Sequence, residues 1–177
     1  MYHFSHEPAI ASFVPRVPPS DSAGLATPVV WAVDAAHAYN YLLPRDCPRV
    51  TFAANLASDA SDVTALIGPG AARAVVVIES GWWAQLNAAT LYRYRFDPTP
   101  FTPMDPHAGY YIATSTVVPI EVAPIGDLVA ALLGERVELR ITPSLWPLHD
   151  VVARSTLTFS MIRMRNARPP EATAAHQ

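Results

Sequence analysis

Arg73-Ala74-Val75-Val76-Val77-Ile78-Glu79-Ser80 is the stretch on which the fold class turns. An unbroken apolar run of strand length, rich in β-branched residues and closed by polar ones, reads as a strand buried on both faces. Upstream, residues 50–54 and the compact run 29–33 read as further strands, and Tyr2–Ser5 as a short first one. Asp34 stands where a helix N-cap belongs, ahead of residues 35–43, which have helical composition and stop at Pro44. One short helix is expected near residues 61–67 and a helix or turn over 81–89.

Downstream, residues 91–96 alternate, with Tyr92, Tyr94 and Phe96 on one side and Arg93 and Arg95 on the other. Residues 97–109 carry four prolines and read as a loop. Strands are expected at Tyr110–Ala113, at 117–122 with Pro119 marking an edge, and at 137–141. A helix over 124–133 is closed by Gly134. From Pro147, the apolar positions Leu148, Val151, Val152, Phe159 and Ile162, with Ser155, lie along one continuous helical face, which predicts a long C-terminal helix ending near Arg163, Arg165 and Asn166. Strands thus follow one another both directly and across helices. The expected class is α+β, with a mixed, largely antiparallel sheet and a few short helices.

The chain has 177 residues, enough for one domain with a real core, read here as residues 1–168 followed by a disordered polar tail over 169–177. A hydrophobic fraction of 51% excludes general disorder, and a charged fraction of only 15% favours a patch for self-association, such as a homodimer. A net charge of -3 argues against nucleic acid as a partner. No apolar run approaches the roughly 20 residues that span a bilayer. Cys47 is the single cysteine and no leader pattern is seen, which together favour a reducing cytoplasm as the expected location. Eighteen prolines predict many short elements and ordered loops.

Strong catalytic signatures are missing: there is no GxGxxG, P-loop, HExxH or GxSxG, and no cysteine pair for a metal. Three weaker constellations remain: Tyr2-His3-Phe4-Ser5-His6; Trp31-Ala32-Val33-Asp34 followed by Ala38, Tyr39 and Tyr41; and Tyr110-Tyr111-Ile112-Ala113 leading to Val118-Pro119-Ile120. In order and approximate spacing these resemble the ADP-ribosyltransferase-like fold, with its split sheet. The resemblance implies NAD, or an ADP-ribosyl or phosphoribosyl group, as ligand, and ADP-ribosyl or related glycosyl transfer as the reaction. It implies His3 as the ribose-contacting histidine and Tyr41, or Tyr39, as the aromatic stacked on nicotinamide. Ser5 and Trp31 join the cofactor-binding set by their places on the two strands. Where the family has a catalytic Glu, this chain has Gly109, Tyr110 and Tyr111; Glu121 and Glu79 lie elsewhere, and the acid is unassigned. The whole chain also resembles a small family of uncharacterised bacterial proteins, through Tyr2-His3-Phe4-Ser5, Leu43-Pro44-Arg45-Asp46-Cys47-Pro48-Arg49 and Phe159-Ser160-Met161-Ile162-Arg163.

The residues themselves leave plainer roles open. His3 equally fits a strand histidine held by a backbone carbonyl, and Tyr39 and Tyr41 fit the edge of a core. Arg45 and Arg49, in a stiff segment between prolines, suit a phosphate contact or an ion pair with Asp46. No metal site is expected, because positions 3 and 6 of a strand face opposite ways. The rival reading is a non-catalytic binding or assembly protein, dimerising through Trp82 or Trp83 and the aromatic strand 92–96.

Overall fold

The computed structural model describes residues 1–17 and 27–170. Its strands, in chain order, are β1 (Tyr2–Ser5), β2 (Val30–Val33), β3 (Arg49–Ala53), β4 (Ala74–Glu79), β5 (Leu91–Arg95), β6 (Thr102–Asp105), β7 (Tyr110–Ala113), β8 (Glu121–Ile125), β9 (Val137–Thr142) and β10 (Thr158–Ile162). The four α-helices are short: α1 (Ala60–Asp62), α2 (Trp83–Ala88), α3 (Leu128–Gly134) and α4 (Trp146–Ala153). The chain divides into two compact units, each made of two separate stretches: Met1–Arg45 with Ala89–Leu128, and Asp46–Ala88 with the chain from Val129 onward.

The first unit is a six-stranded sheet in the order β6-β7-β2-β1-β5-β8, antiparallel at every pairing. One face carries a core of Val30, Ala32, Tyr94, Phe96, Phe101, Ala113 and Val117. The segment after β1 crosses this face, fixed by a bridge between Phe13 and Val117 and another between Arg16 and Val29. The second unit is a four-stranded sheet in the order β10-β3-β4-β9, antiparallel except for β4 and β9. All six residues of β4 are buried, as its apolar run requires of a central strand. Val50, Phe52, Val75, Val77, Leu145, Val152 and Leu157 form its core.

The α+β class with mostly antiparallel pairing agrees with the sequence reading. The long C-terminal helix does not. α4 stops at Ala153, and residues 158–162 form β10, the edge strand beside β3. The break has a local cause. The Ser155 hydroxyl donates back to the Val152 carbonyl at 2.8 Å, and the Asp62 carboxylate accepts both the backbone N–H and the hydroxyl of Thr156 at 2.7 Å. Those bonds compete with helix continuation, and the β-branched and aromatic residues that follow suit a sheet. Phe159, assigned by helical spacing to the buried face, is 43% exposed.

Three further elements depart from expectation. The proline-rich loop contains β6, tolerated because it is an edge strand. The strand expected at 117–122 lies later, as β8, and Val117 makes only an isolated bridge. The helix expected over 35–43 is one 3-10 turn, Ala38–Tyr41. Most of the loop read over 17–27 and most of the tail read over 169–177 lie outside the described residues.

Candidate functional site

Alternation along β1 sorts the first candidate residues onto two faces of the six-stranded sheet. His3 pairs opposite Tyr94 and Phe4 opposite Arg93. On the core face, the His3 ring lies 4.9 Å from Phe13, which meets Tyr94 edge-on at 5.1 Å and Phe96 at 5.0 Å. On the other face, Phe4 is parallel to Tyr41 at 6.3 Å, Tyr41 meets Tyr110 at 6.4 Å, and Tyr110 meets Trp31 edge-on at 6.0 Å. His3 and Tyr41 therefore do not share a concavity: neighbouring positions of one strand send the two rings' contacts to opposite sides of the sheet. Trp31 belongs with Tyr41, while Ser5 shares the His3 face. Tyr39 is buried in the 3-10 turn.

The His3 imidazole has a defined form. Its Nδ1 lies 3.2 Å from the Trp31 carbonyl oxygen, and a carbonyl only accepts, so the proton sits on Nδ1. Nε2 then carries a lone pair, with no hydrogen-bond partner among the described residues. Burial first, and the nearby Arg45 charge second, hold the pKa below its usual value, against the opposing pull of the Trp31 carbonyl. The half-buried ring is thus a neutral acceptor at pH 7.

Arg45 reaches this neighbourhood through His6. The His6 Nδ1 donates to the Thr90 carbonyl at 3.2 Å, and its Nε2 accepts the Arg45 backbone N–H at 3.3 Å. The Ser5 hydroxyl accepts the Glu7 N–H at 3.1 Å and so shapes the turn that carries His6. His3, Ser5, His6 and Arg45 are gathered at one end of β1; Arg49 is not among them. It belongs to the second unit, is 2% exposed, and donates from Nη1 to the Cys47 carbonyl at 2.9 Å. A guanidinium so enclosed is part of an interior, not a surface for phosphate.

The acids are placed as follows. Glu121, on the edge strand β8, is exposed and pairs with the Arg95 Nε at 2.7 Å. Glu79 is buried, its oxygens accepting the N–H groups of Leu145 at 3.2 Å and Arg168 at 2.9 Å. Tyr94 and Phe96, read as part of a dimer surface, lie in the core of the first unit, which removes the aromatic strand from that role. Trp83 is 42% exposed and Trp82 half-buried.

The sequence reading passed over an Asp–His pair. The Asp34 carboxylate accepts the His37 backbone N–H at 2.9 Å and lies 2.8 Å from the His37 Nδ1. Gly109, at φ +72°, packs against that ring: a Cβ there would lie 2.4 Å from Nδ1. The spacing Asp-x-x-His is the sequence signal of this pair, and it coincides with that of a helix cap.

Among the described residues no helix is long and apolar enough to cross a membrane, and no three His, Cys, Asp or Glu side chains are grouped to hold a metal ion. A family model matches residues 2–167, that of a family of unknown function. No curated protein and no solved structure matches the chain.

Proposed function

The chain belongs to DUF6886, a family of unknown function, and within that family we propose that it binds a ribose- and phosphate-bearing nucleotide, of the NAD or ADP-ribosyl kind, on the His3 face of the six-stranded sheet. The observation that carries this reading is the His3 imidazole: neutral, half-buried, its tautomer set by the Trp31 carbonyl and its Nε2 without a hydrogen-bond partner among the described residues. Such a group accepts a hydrogen bond from a ribose hydroxyl without a charge change. Arg45, whose backbone N–H is held by His6 just beyond the end of β1, offers a cation for the phosphates. Phe13 supplies an aromatic edge 4.9 Å away. Tyr41 and Trp31 have no part in this version of the site, and Arg49 has none. Turnover, an ADP-ribosyl or related glycosyl transfer, requires an acid that is unassigned; binding is the function proposed.

A thermal-shift series with NAD, ADP-ribose and ribose 5-phosphate tests it. A ligand at about 100 times its Kd stabilises by about 2.7 kcal/mol. His3→Phe should abolish the shift and Tyr41→Phe should retain it. No shift with any of the three, or a shift that survives His3→Phe, ends the proposal.

One observation favours the assembly reading as a second possibility. Val14, Val118, Ile120 and Val122 are all exposed large hydrophobics of the first unit, and three of them alternate along residues 118–122. Exposed apolar side chains grouped in this way mark interfaces. Sedimentation of the full chain decides it: a dimer that Val118→Asp dissociates supports this reading, and a monomer at every concentration removes it.

A further inference from the structure

Glu79 ends β4, and β4 runs parallel to β9, which ends at Thr142. Ligands of open α/β sheets bind beyond the carboxyl ends of such strands. There the second unit has a cavity of about 440 Å³, lined by Glu79, Trp82, Gln85, Pro143, Asn166 and Arg168. Its walls come from distant parts of the chain and are pinned by hydrogen bonds. The Glu79 oxygens each accept one backbone N–H, from Leu145 and from Arg168. The Trp146 indole N–H donates to the Arg168 carbonyl at 2.7 Å, and the Asn166 Nδ2 donates to the Asp46 carbonyl at 2.7 Å. Each Glu79 oxygen keeps a second lone pair after these bonds. The Gln85 amide and the Asn166 Oδ1 have no hydrogen-bond partner among the described residues.

We infer that this cavity is a binding site for a neutral sugar ring. The lining holds a carboxylate and a guanidinium, so a ligand of either net charge meets its own sign on one wall. The two amides add both donors and acceptors to the lining, the Asn166 Nδ2 being already bonded to Asp46. Hydroxyl groups, which donate and accept at every position, satisfy such a mixed lining better than the fixed edge of a base or the donor-only edge of a guanidine. The Trp82 indole provides a broad apolar face, on which the C–H face of a sugar ring packs. A small number of convergent polar groups around an apolar wall is the general form of a small-molecule site. The site goes beyond the nucleotide reading and uses none of its residues.

Saturation-transfer NMR and calorimetry on the full chain test it, with D-glucose, D-galactose and D-ribose as probes, and adenine and arginine methyl ester as controls. The expected result is saturable, millimolar binding of at least one of the three sugars, with neither control competing. Gln85→Ala, an exposed position, should weaken that binding tenfold or more without lowering Tm, and Trp82→Ala should do the same or more. His3→Phe should leave it unchanged, which separates this site from the nucleotide site. The inference is overturned if none of the three sugars binds saturably, if binding survives Gln85→Ala, if adenine displaces the sugar, or if His3→Phe removes it.

Discussion

His3 shows how one hydrogen bond sets a residue's chemistry. The Trp31 carbonyl fixes the proton on Nδ1, and burial penalises a second proton on Nε2. The consequence for stability has a definite sign. The folded pKa lies below the unfolded value of 6.5. As the pH falls below that value, the unfolded chain takes up a proton that the folded chain refuses, so stability is lost on the acid side and retained above it. Urea midpoints measured between about pH 5 and pH 8 should fall toward acid. The other histidines titrate too, so the informative quantity is the difference between the native chain and His3→Phe. That difference should shrink toward acid as the native chain loses its His3 contribution. A difference independent of pH would mean that the imidazole titrates alike in both states. Arg45 contributes to the shift and is exposed, so added salt should move the acid limb only slightly; burial is the larger cause.

At the scale of elements, the turn after β2 depends on β7. The Asp34 N–H donates to the Gly109 carbonyl at 3.0 Å, the Asp34 carboxylate holds His37, and His37 lies against the Gly109 α-carbon. Gly109→Ala adds a methyl 2.4 Å from the ring nitrogen, at a φ of +72° that side chains disfavour. It should cost about 2–5 kcal/mol, the sum of the backbone and overpacking terms. In a His37→Gly background the overpacking part disappears and about 1–2 kcal/mol should remain. A double-mutant cycle from denaturant unfolding measures the difference, and additive losses would show that the two residues do not touch. This contact also shows what a sequence conceals. β1, β4 and β7 were legible, β1 and β7 with their observed limits, because apolar runs and aromatic alternation announce strands directly. β10 was not: Phe159 and Ile162 sit at spacings that satisfy a helix, and the break comes from Asp62, 94 residues before the Thr156 it binds. The candidate site divides the same way. His3 and Arg45 could be picked out by type, but which face each strand position takes depends on register and neighbouring elements. No local pattern reveals that the chain near Arg168 returns to Glu79.

For the whole molecule, order in the sequence and order in the sheets differ. β3 and β4 are laid down early, yet their sheet is completed only by β9 and β10, after the chain has passed through β5 to β8 of the first unit. Cys47 reports on the integrity of that sheet. It lies two residues before the inner strand β3, is fully buried, and has its thiol pushed up to about 12, by burial first and by the Glu79 charge second, with Arg49 opposing. At pH 8 the folded protein therefore holds roughly one thiolate in ten thousand, and reagent cannot reach even that fraction. Labelling by a disulfide reagent must await opening. β3 is flanked by β10 and β4, so fraying of one edge does not release it, and the relevant opening is loss of the four-stranded sheet as a unit. The labelling rate should be negligible without denaturant and should rise with urea along the slope of global unfolding. Rapid labelling in buffer, or a rate indifferent to urea, would mean that β10 leaves β3 in a local motion and that the sheet is not cooperative.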